Sequence, residues 1–299
     1  MHARTPAKAL LYGGLLLHTA LSAGTYLIGK RALAELPALA LGLLRFTGAS
    51  TLLGLLLLRL KPRGERLPPK EARRKLLLLA FIAVPINQGL FLYGLQNSTA
   101  AHAALLYALT PLFVLLLAQA LLGEFPGWRA AVGTAIALAG TVFILLEHGL
   151  DLKRGPLFGD LLLVVAVVAW AVYTTEGREL VAKYGALPTI AWTIIAGTIL
   201  FLPVGITAAV IQRERILQAS PQAWLGVAYL IVGTSVIAYL LWYWALKHLE
   251  AARVAIFSNL QPLATAVLAH FFLGEQITVA FFAGAIAVIG GVLLAQRHS

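Results

Sequence analysis

The sequence predicts an all-α membrane protein of ten transmembrane helices, built as two inverted-topology repeats of five, residues 1–150 and 151–299. Three observations lead there. The first is composition: 60% of the 299 residues are hydrophobic and only 12% are charged, with a mean hydropathy of +0.87. Soluble domains carry about 25% charged residues. A lipid-facing surface accounts for the deficit, because a charged side chain at the bilayer centre is costly. The second is segmentation. A helix needs about 20 apolar residues to cross a bilayer core, and ten stretches of that kind alternate with connections too short to hold a soluble domain. The third is a repeat: residues 91–144 recur without a gap at an offset of 151 (262 − 111). Pro111 returns as Pro262, Gly123-Glu124 as Gly274-Glu275, Gly133 as Gly284 and Gly140 as Gly291. Five spans per repeat is an odd number, so the second copy enters the membrane from the opposite side.

The spans follow in order. The first, near 9–29, carries His18, Ser22 and Tyr26 at i, i+4 and i+8, one stripe of a helix facing the bundle interior. It follows a short basic tail, as a signal peptide would, but the nine spans behind it favour a retained helix. The second, near 37–58, holds Arg45, the one basic residue inside a span. Two turns from the span end, it reads as a lock near the outer face, paired with Glu35 or helix carbonyls; a substrate carboxylate is the alternative. The third, near 75–95, places Asn87-Gln88 after Pro85, and an amide in mid-membrane needs a partner. Asn87 suits helix–helix bonding. Gln88, matched by Tyr239 at the repeat offset, suits a cavity.

The fourth and ninth spans, near 101–122 and 252–273, carry the hinge candidates Pro111 and Pro262 at equivalent positions. Each proline removes an amide and frees the carbonyl four residues earlier, on Tyr107 and Ser258. Such groups persist in a bilayer only when protein, water or a ligand satisfies them, and Thr110, Asn259 and Gln261 sit alongside. The fifth and tenth spans, near 127–146 and 278–295, repeat small residues (Gly133, Ala137, Gly140; Ala283, Ala287, Gly291) that brace the bundle or form a dimer face. The sixth, near 157–176, offers Trp170, Tyr173 and Thr174, with Tyr173 matching Tyr26 at an offset of 147 (173 − 26). The seventh lies near 187–210. The eighth, near 222–246, ends on Trp242, Tyr243 and Trp244, which read as interfacial anchors. The Gly-Glu pairs at 123–124 and 274–275 terminate their helices, with glycine as the cap.

Charge sets the orientation. With a cytoplasmic N-terminus, the inside segments hold sixteen Lys and Arg residues, eight of them in the loop 59–75, against six in the outside loops. Both termini are therefore expected in the cytoplasm, in a cell inner (plasma) membrane. The same clustering reads the net charge of +11 as contact with an anionic membrane surface rather than with nucleic acid. The absence of cysteine excludes disulfides, thiolate metal sites and a cysteine nucleophile. The acidic residues all fall in loops or near span ends, which leaves His18 as the one central group titrating near neutrality. No catalytic or nucleotide-binding motif is visible, and no metal or cofactor is expected.

Several stretches resemble the EamA family of the drug/metabolite transporter superfamily. They are LLRF at 43–46, AW-x-x-Y at 169–173, AYLLWYWALKHLEAARVAIFSNLQPLATAVLAHFFLGE at 238–275, and LYGLQNSTAAHAALLYALTPLFVLLLAQALLGE at 92–124. The resemblance covers the whole chain and is strongest toward the YddG-like amino-acid exporters. The first span departs from the family pattern: it reads His18-Thr19-Ala20-Leu21-Ser22-Ala23-Gly24, without the usual Trp.

The resemblance implies a transporter of small metabolites, often an exporter of amino acids. Together with the repeat, it predicts a secondary transporter working by alternating access. The expected cavity residues are His18, Ser22, Tyr26, Gln88, Tyr107, Trp170, Tyr173, Tyr239, Ser258, Asn259 and Gln261, and the expected partners are a small-molecule solute and the lipid bilayer. The protein is expected as a monomer or weak homodimer. A translocator of nucleotide sugars or phosphorylated solutes is the alternative within the superfamily, with only Arg45 and Lys30 to hold phosphate; a membrane scaffold is the alternative outside it.

Overall fold

The computed structural model describes residues 8–61, 66–98, 100–123, 127–147, 157–273 and 279–296. Within them the chain forms ten helical rods and no strand. They are α1 (Lys8–Glu35), α2 (Ala38–Leu60), α3 (Lys70–Asn97), α4 (Ala100–Tyr107 and Thr110–Leu122) and α5 (Trp128–Glu147). The second half gives α6 (Leu157–Tyr184), α7 (Ala186–Ile211), α8 (Pro221–Leu246), α9 (Ala251–Ala255, Ile256–Asn259 and Leu260–Leu273) and α10 (Val279–Gln296). Six rods (α1, α2, α3, α6, α7 and α8) are long and apolar enough to cross a membrane. Large apolar side chains such as Leu16, Ile199, Ile211 and Ile286 are turned outward. A soluble protein would hide them. This is a multi-pass membrane protein.

Local chemistry sets the breaks between rods. Pro37 opens α2 with φ −65°, and Ser220 accepts from the Ala223 amide ahead of Pro221 to open α8. Gly185, at φ +89°, separates α6 from α7, and Gly123, at φ +62°, caps α4 in the left-handed conformation expected of a terminator. Glu124 and the second pair, Gly274-Glu275, lie outside the described residues.

The rods are irregular at matched places. α3 widens into a π-helical turn at Ile82–Gln88, around Pro85, and α8 does the same at Leu230–Ala238. At the repeat offset these turns overlap (82 + 151 = 233). α4 is interrupted at 108–109, ahead of Pro111, and α9 tightens to a 3-10 turn at Ile256–Asn259, ahead of Pro262. A proline takes the amide out of the ladder, and the chain answers with a turn of different pitch.

Packing interleaves the halves. α3 and α4 lean on α6, while α8 and α9 lean on α1, so the third and fourth rods of each half rest on the first rod of the other. α2 packs on α7, where Ser50 and Thr198 join hydroxyls at 2.8 Å. α5 and α10 meet most closely. A Cβ added to Gly133 would fall 2.5 Å from the Gly291 carbonyl oxygen, and one on Gly140 would fall 2.7 Å from that of Gly284. Each glycine meets the repeat counterpart of the other, which makes the contact reciprocal and the two rods antiparallel. These small residues therefore brace the bundle within one chain, one of the two roles expected of them.

Two large cores stack along the rods. One gathers the halves of the rods toward the face where α1 begins and α2 ends, here the terminal face. The other, built on Leu33, Leu41, Leu92 and Leu230, lies toward the opposite face. Trp242 and Tyr243, expected as interfacial anchors, are buried in the first core. Their rings stack on Trp170 and Tyr173 across the bundle, a contact that sequence spacing within α8 does not encode.

Gly140→Leu is expected to force α5 and α10 apart, since backbone rather than a flexible side chain stands in the way. The loss should be about 1–3 kcal/mol or more, read as a lowered midpoint in a thermal-unfolding assay in detergent. A variant melting with the parent would show that the close approach is not structural.

Candidate functional site

A cavity lies between the two cores, walled by α1, α2, α3 and α4 of the first half and α6, α8 and α9 of the second. Its free volume is about 50 Å³. That admits a few waters, at roughly 10–15 Å³ each, and the side chains close on one another around it.

On α1, the ring of His18 is fixed at both nitrogens. Nδ1 donates to the Ala238 carbonyl at 2.9 Å, at the end of the π-turn of α8, and Nε2 faces the Ser22 hydroxyl at 3.3 Å. A carbonyl can only accept, so Nε2 is the acceptor for Ser22. One turn further, Thr25 bonds Thr234 at 2.9 Å and Tyr26 donates to Gln261 Oε1 at 2.9 Å. These bonds tie α1 to α8 and α9 at three levels.

On α3, the π-turn presents Asn87 and Gln88 side by side. Asn87, fully buried, donates through Nδ2 to the Ala166 carbonyl of α6 at 2.7 Å and to the Tyr107 hydroxyl of α4 at 3.0 Å. Gln88 donates to Asn87 Oδ1. Asn87 thus clamps three rods, and Gln88 faces the cavity.

Aromatic rings line the cavity in two clusters. Tyr26, Phe91 and Tyr107, all from the first half, meet edge-on with centroids 5.2–6.1 Å apart. Trp170 stacks on Tyr239 at 5.3 Å and on Trp242 at 5.9 Å, all from the second half, and His18 lies 4.6 Å from Trp242. Tyr26 and Phe91 belong to the core away from the terminal face, and the second-half rings to the core toward it. Each ring cluster is therefore supplied by one half alone.

Of the residues expected at the site, His18, Ser22, Tyr26, Gln88, Tyr107, Trp170, Tyr239, Ser258 and Gln261 line the cavity. Tyr173 and Asn259 do not. Tyr173 turns its hydroxyl to Thr193 of α7, at 2.8 Å, and Asn259 is buried in the 3-10 turn of α9. Pro111 and Pro262 are buried at the breaks of α4 and α9. Four wall residues were not expected there: Thr25, Arg45, Phe91 and Thr234. Thr25 falls seven residues after His18 on the same stripe and so carried a signal, whereas Phe91 matches Trp242, which read as an interfacial anchor, and carried none. Nor did Thr234.

Arg45 corrects the lock expected near the outer face. Glu35 instead accepts from the backbone amide and hydroxyl of Ser220, at 2.6 and 2.8 Å. Arg45 is 1% exposed and donates through Nε to Ser235 on the π-turn of α8, at 2.7 Å. The π-turn brings Ser235 within reach. Lys30 is taken up by three carbonyls at the end of α3, from Leu95, Gln96 and Ser98.

Comparison with known proteins matches residues 9–146 and 157–296, one after the other, to the EamA-like transporter family. The chain belongs to that family. Among its relatives is an uncharacterized transporter of Archaeoglobus fulgidus, 30% identical over 92% of this chain and 94% of the relative. A probable terminal-alkyne amino-acid exporter of Streptantibioticus cattleyicolor is 30% identical over 87% of this chain and 84% of its own. An uncharacterized transporter of Bacillus subtilis, YetK, is 27% identical over 95% and 86%. A crystal structure with 21% identity, covering 98% of both chains, superposes with a TM-score of 0.74 and shares the fold. Among the described residues of this family member, no cluster of three His, Asp or Glu side chains could hold a metal ion.

Asn87→Ala is expected to strand the Tyr107 hydroxyl and the Gln88 amide at once and to remove the bond to the Ala166 carbonyl, which keeps its own helical partner. Each buried group left unpaired costs about 1–3 kcal/mol, so the thermal midpoint should fall further than in Ser22→Ala, which removes one long bond. Equal midpoints for the two variants would refute the clamp.

Proposed function

We propose that the protein is a secondary transporter that exports small zwitterionic or neutral solutes with apolar parts, foremost amino acids with aromatic or branched side chains. The carrying observation is the cavity wall: amides, hydroxyls and aromatic rings from both halves, with no acidic side chain among the described residues that line it. Rings suit apolar solute parts, and the amides and hydroxyls suit polar termini. The amino-acid exporter of Streptantibioticus cattleyicolor supports the same class. Phosphorylated solutes fit poorly, because phosphate is held by several cations. Among the described residues, Arg45 is the one Lys or Arg on this wall, and Lys30 is occupied elsewhere.

The mechanism follows from the two halves. Residues 1–150 and 151–299 act as inverted repeats of five spans, the whole chain crossing the membrane ten times. The reciprocal antiparallel contact of α5 with α10 and the matched π-turns of α3 and α8 support the inversion. In alternating access, the Tyr26–Phe91–Tyr107 cluster and the Trp170–Tyr239–Trp242 cluster each draw away from the opposite wall in turn, with Pro111 and Pro262 as the points of bending. On the terminal face Lys75 of α3 pairs with Glu176 and Glu179 of α6, at 2.7 and 2.5 Å, and this ionic tie must open when that side does. The charge bias supports a cytoplasmic terminal face, and the membrane of this proposal is the plasma (inner) membrane. The glycines of α5 and α10 are consumed within the chain, which favours a monomer over a homodimer.

Two experiments test this reading. Purified protein in liposomes is expected to move phenylalanine, tryptophan and leucine, and to leave sugar phosphates behind; efficient exchange of a sugar phosphate would reverse the substrate assignment. Lys70 is exposed on the loop 59–75, and the chain has no cysteine. Lys70→Cys should be labelled by an impermeant thiol reagent only after the cells are opened. Labelling from outside intact cells would invert the topology.

A further inference from the structure

Two residues on the cavity wall each carry a buried polar atom with no hydrogen-bond partner among the described residues, and the two atoms are chemical opposites. The first is Nη1 of Arg45, a buried donor. Ser235 holds the guanidinium through Nε, and the Phe46 ring, with its centroid 4.9 Å away, supports its face. The second is Oε1 of Gln88, a buried acceptor on a side chain 6% exposed. Its orientation follows from its neighbours. The Ala166 carbonyl can only accept, so the Asn87 atom that meets it is Nδ2, and Asn87 Oδ1 must be the acceptor. Gln88 therefore turns Nε2 toward Asn87 and leaves Oε1 bare. Both side chains line the same cavity, and among the described residues no carboxylate lines it with them. A buried cation without a counter-ion and a buried acceptor without a donor are each unfavourable.

We infer that Arg45 and Gln88 are the two anchors for the head group of an α-amino acid. Arg45 takes the carboxylate, as a charge-assisted hydrogen bond from a preset guanidinium. Gln88 Oε1 accepts from the α-ammonium. The ligand's side chain then lies against Phe91 and Trp170, which contribute stacking surface and no directional bonds. The inference rests on the exporter reading and adds what that reading leaves open: the site recognises the two charged groups common to amino acids and tolerates a range of apolar side chains. Ser235 is a positioning residue, since it acts through Arg45.

Four ligands separate the anchors: phenylalanine, phenylalaninamide, phenethylamine and 3-phenylpropanoate. Binding to full-length protein in detergent and flux in liposomes are both measured. The parent should bind phenylalanine about tenfold or more tightly than the amide or the amine, neither of which has a carboxylate. Arg45→Gln should erase that preference and abolish binding of 3-phenylpropanoate. Gln88→Met should weaken phenylalanine about tenfold and leave 3-phenylpropanoate unchanged. Equal binding of phenylalanine and phenylalaninamide by the parent would overturn the Arg45 anchor without any variant having to fold. A folded Arg45→Gln protein that keeps the preference would do the same, and loss of both phenylalanine and 3-phenylpropanoate in Gln88→Met would overturn the Gln88 anchor. Flux of phenylalanine without the preference refutes the anchors and leaves the exporter. The preference without flux refutes the exporter and leaves the anchors. No binding of any of the four refutes both.

Discussion

A hydroxyl, amide or guanidinium set between apolar helices has no water to fall back on, so it bonds across to another rod or remains unsatisfied. That constraint organises the middle of this protein. His18 reaches the Ala238 carbonyl, Thr25 reaches Thr234, Tyr26 reaches Gln261, and Arg45 reaches Ser235, each from the first half into the second. Asn87 makes the complementary bond from α3 to α6. The apolar surfaces give the rods no strong preference for one neighbour over another, because lipid is as apolar as leucine. The polar bonds supply that preference, and they concentrate where the halves meet.

Irregular backbone makes several of these bonds possible. A regular helix keeps its carbonyls within its own ladder. The π-turn of α8 shifts the register and offers Thr234, Ser235 and the Ala238 carbonyl to α1 and α2. The π-turn of α3 does the same for Asn87 and Gln88. Irregularities at matched points of two repeats thus build the two walls of a single cavity. The cost of each wide turn falls on the element that carries the site, a common place for such strain.

Size and closure go together. The free space of about 50 Å³ is smaller than an amino acid needs, and two aromatic clusters, one from each half, border it. Each cluster is built from one half alone, so separating the halves by a small rotation changes the contacts of one cluster with the opposite wall while leaving its own ring stack intact. Small shifts at such packed contacts lead to discrete rearrangements rather than continuous deformation.

Much of this was legible in the sequence. Hydropathy located the rods, the offset of 151 paired the prolines and glycines, and the stripe of His18, Ser22 and Tyr26 picked out the face of α1 turned to the cavity. Local rules suffice for these, since helix breaks, close-packing glycines and helical faces depend on residues a few positions apart. What the chain kept hidden was the identity of partners. Arg45 finds Ser235 at a separation of 190 residues, and Tyr26 finds Gln261 at 235. Trp242 looked like an interfacial anchor and lies under Trp170 instead. Tyr173 looked like cavity wall and bonds Thr193. The sequence by itself determined an all-helical membrane protein with a repeated plan and polar faces directed inward. Only the tertiary structure decided which polar atom meets which, because that depends on the rotation and register of whole rods, set by packing across the bundle rather than by spacing along any one of them.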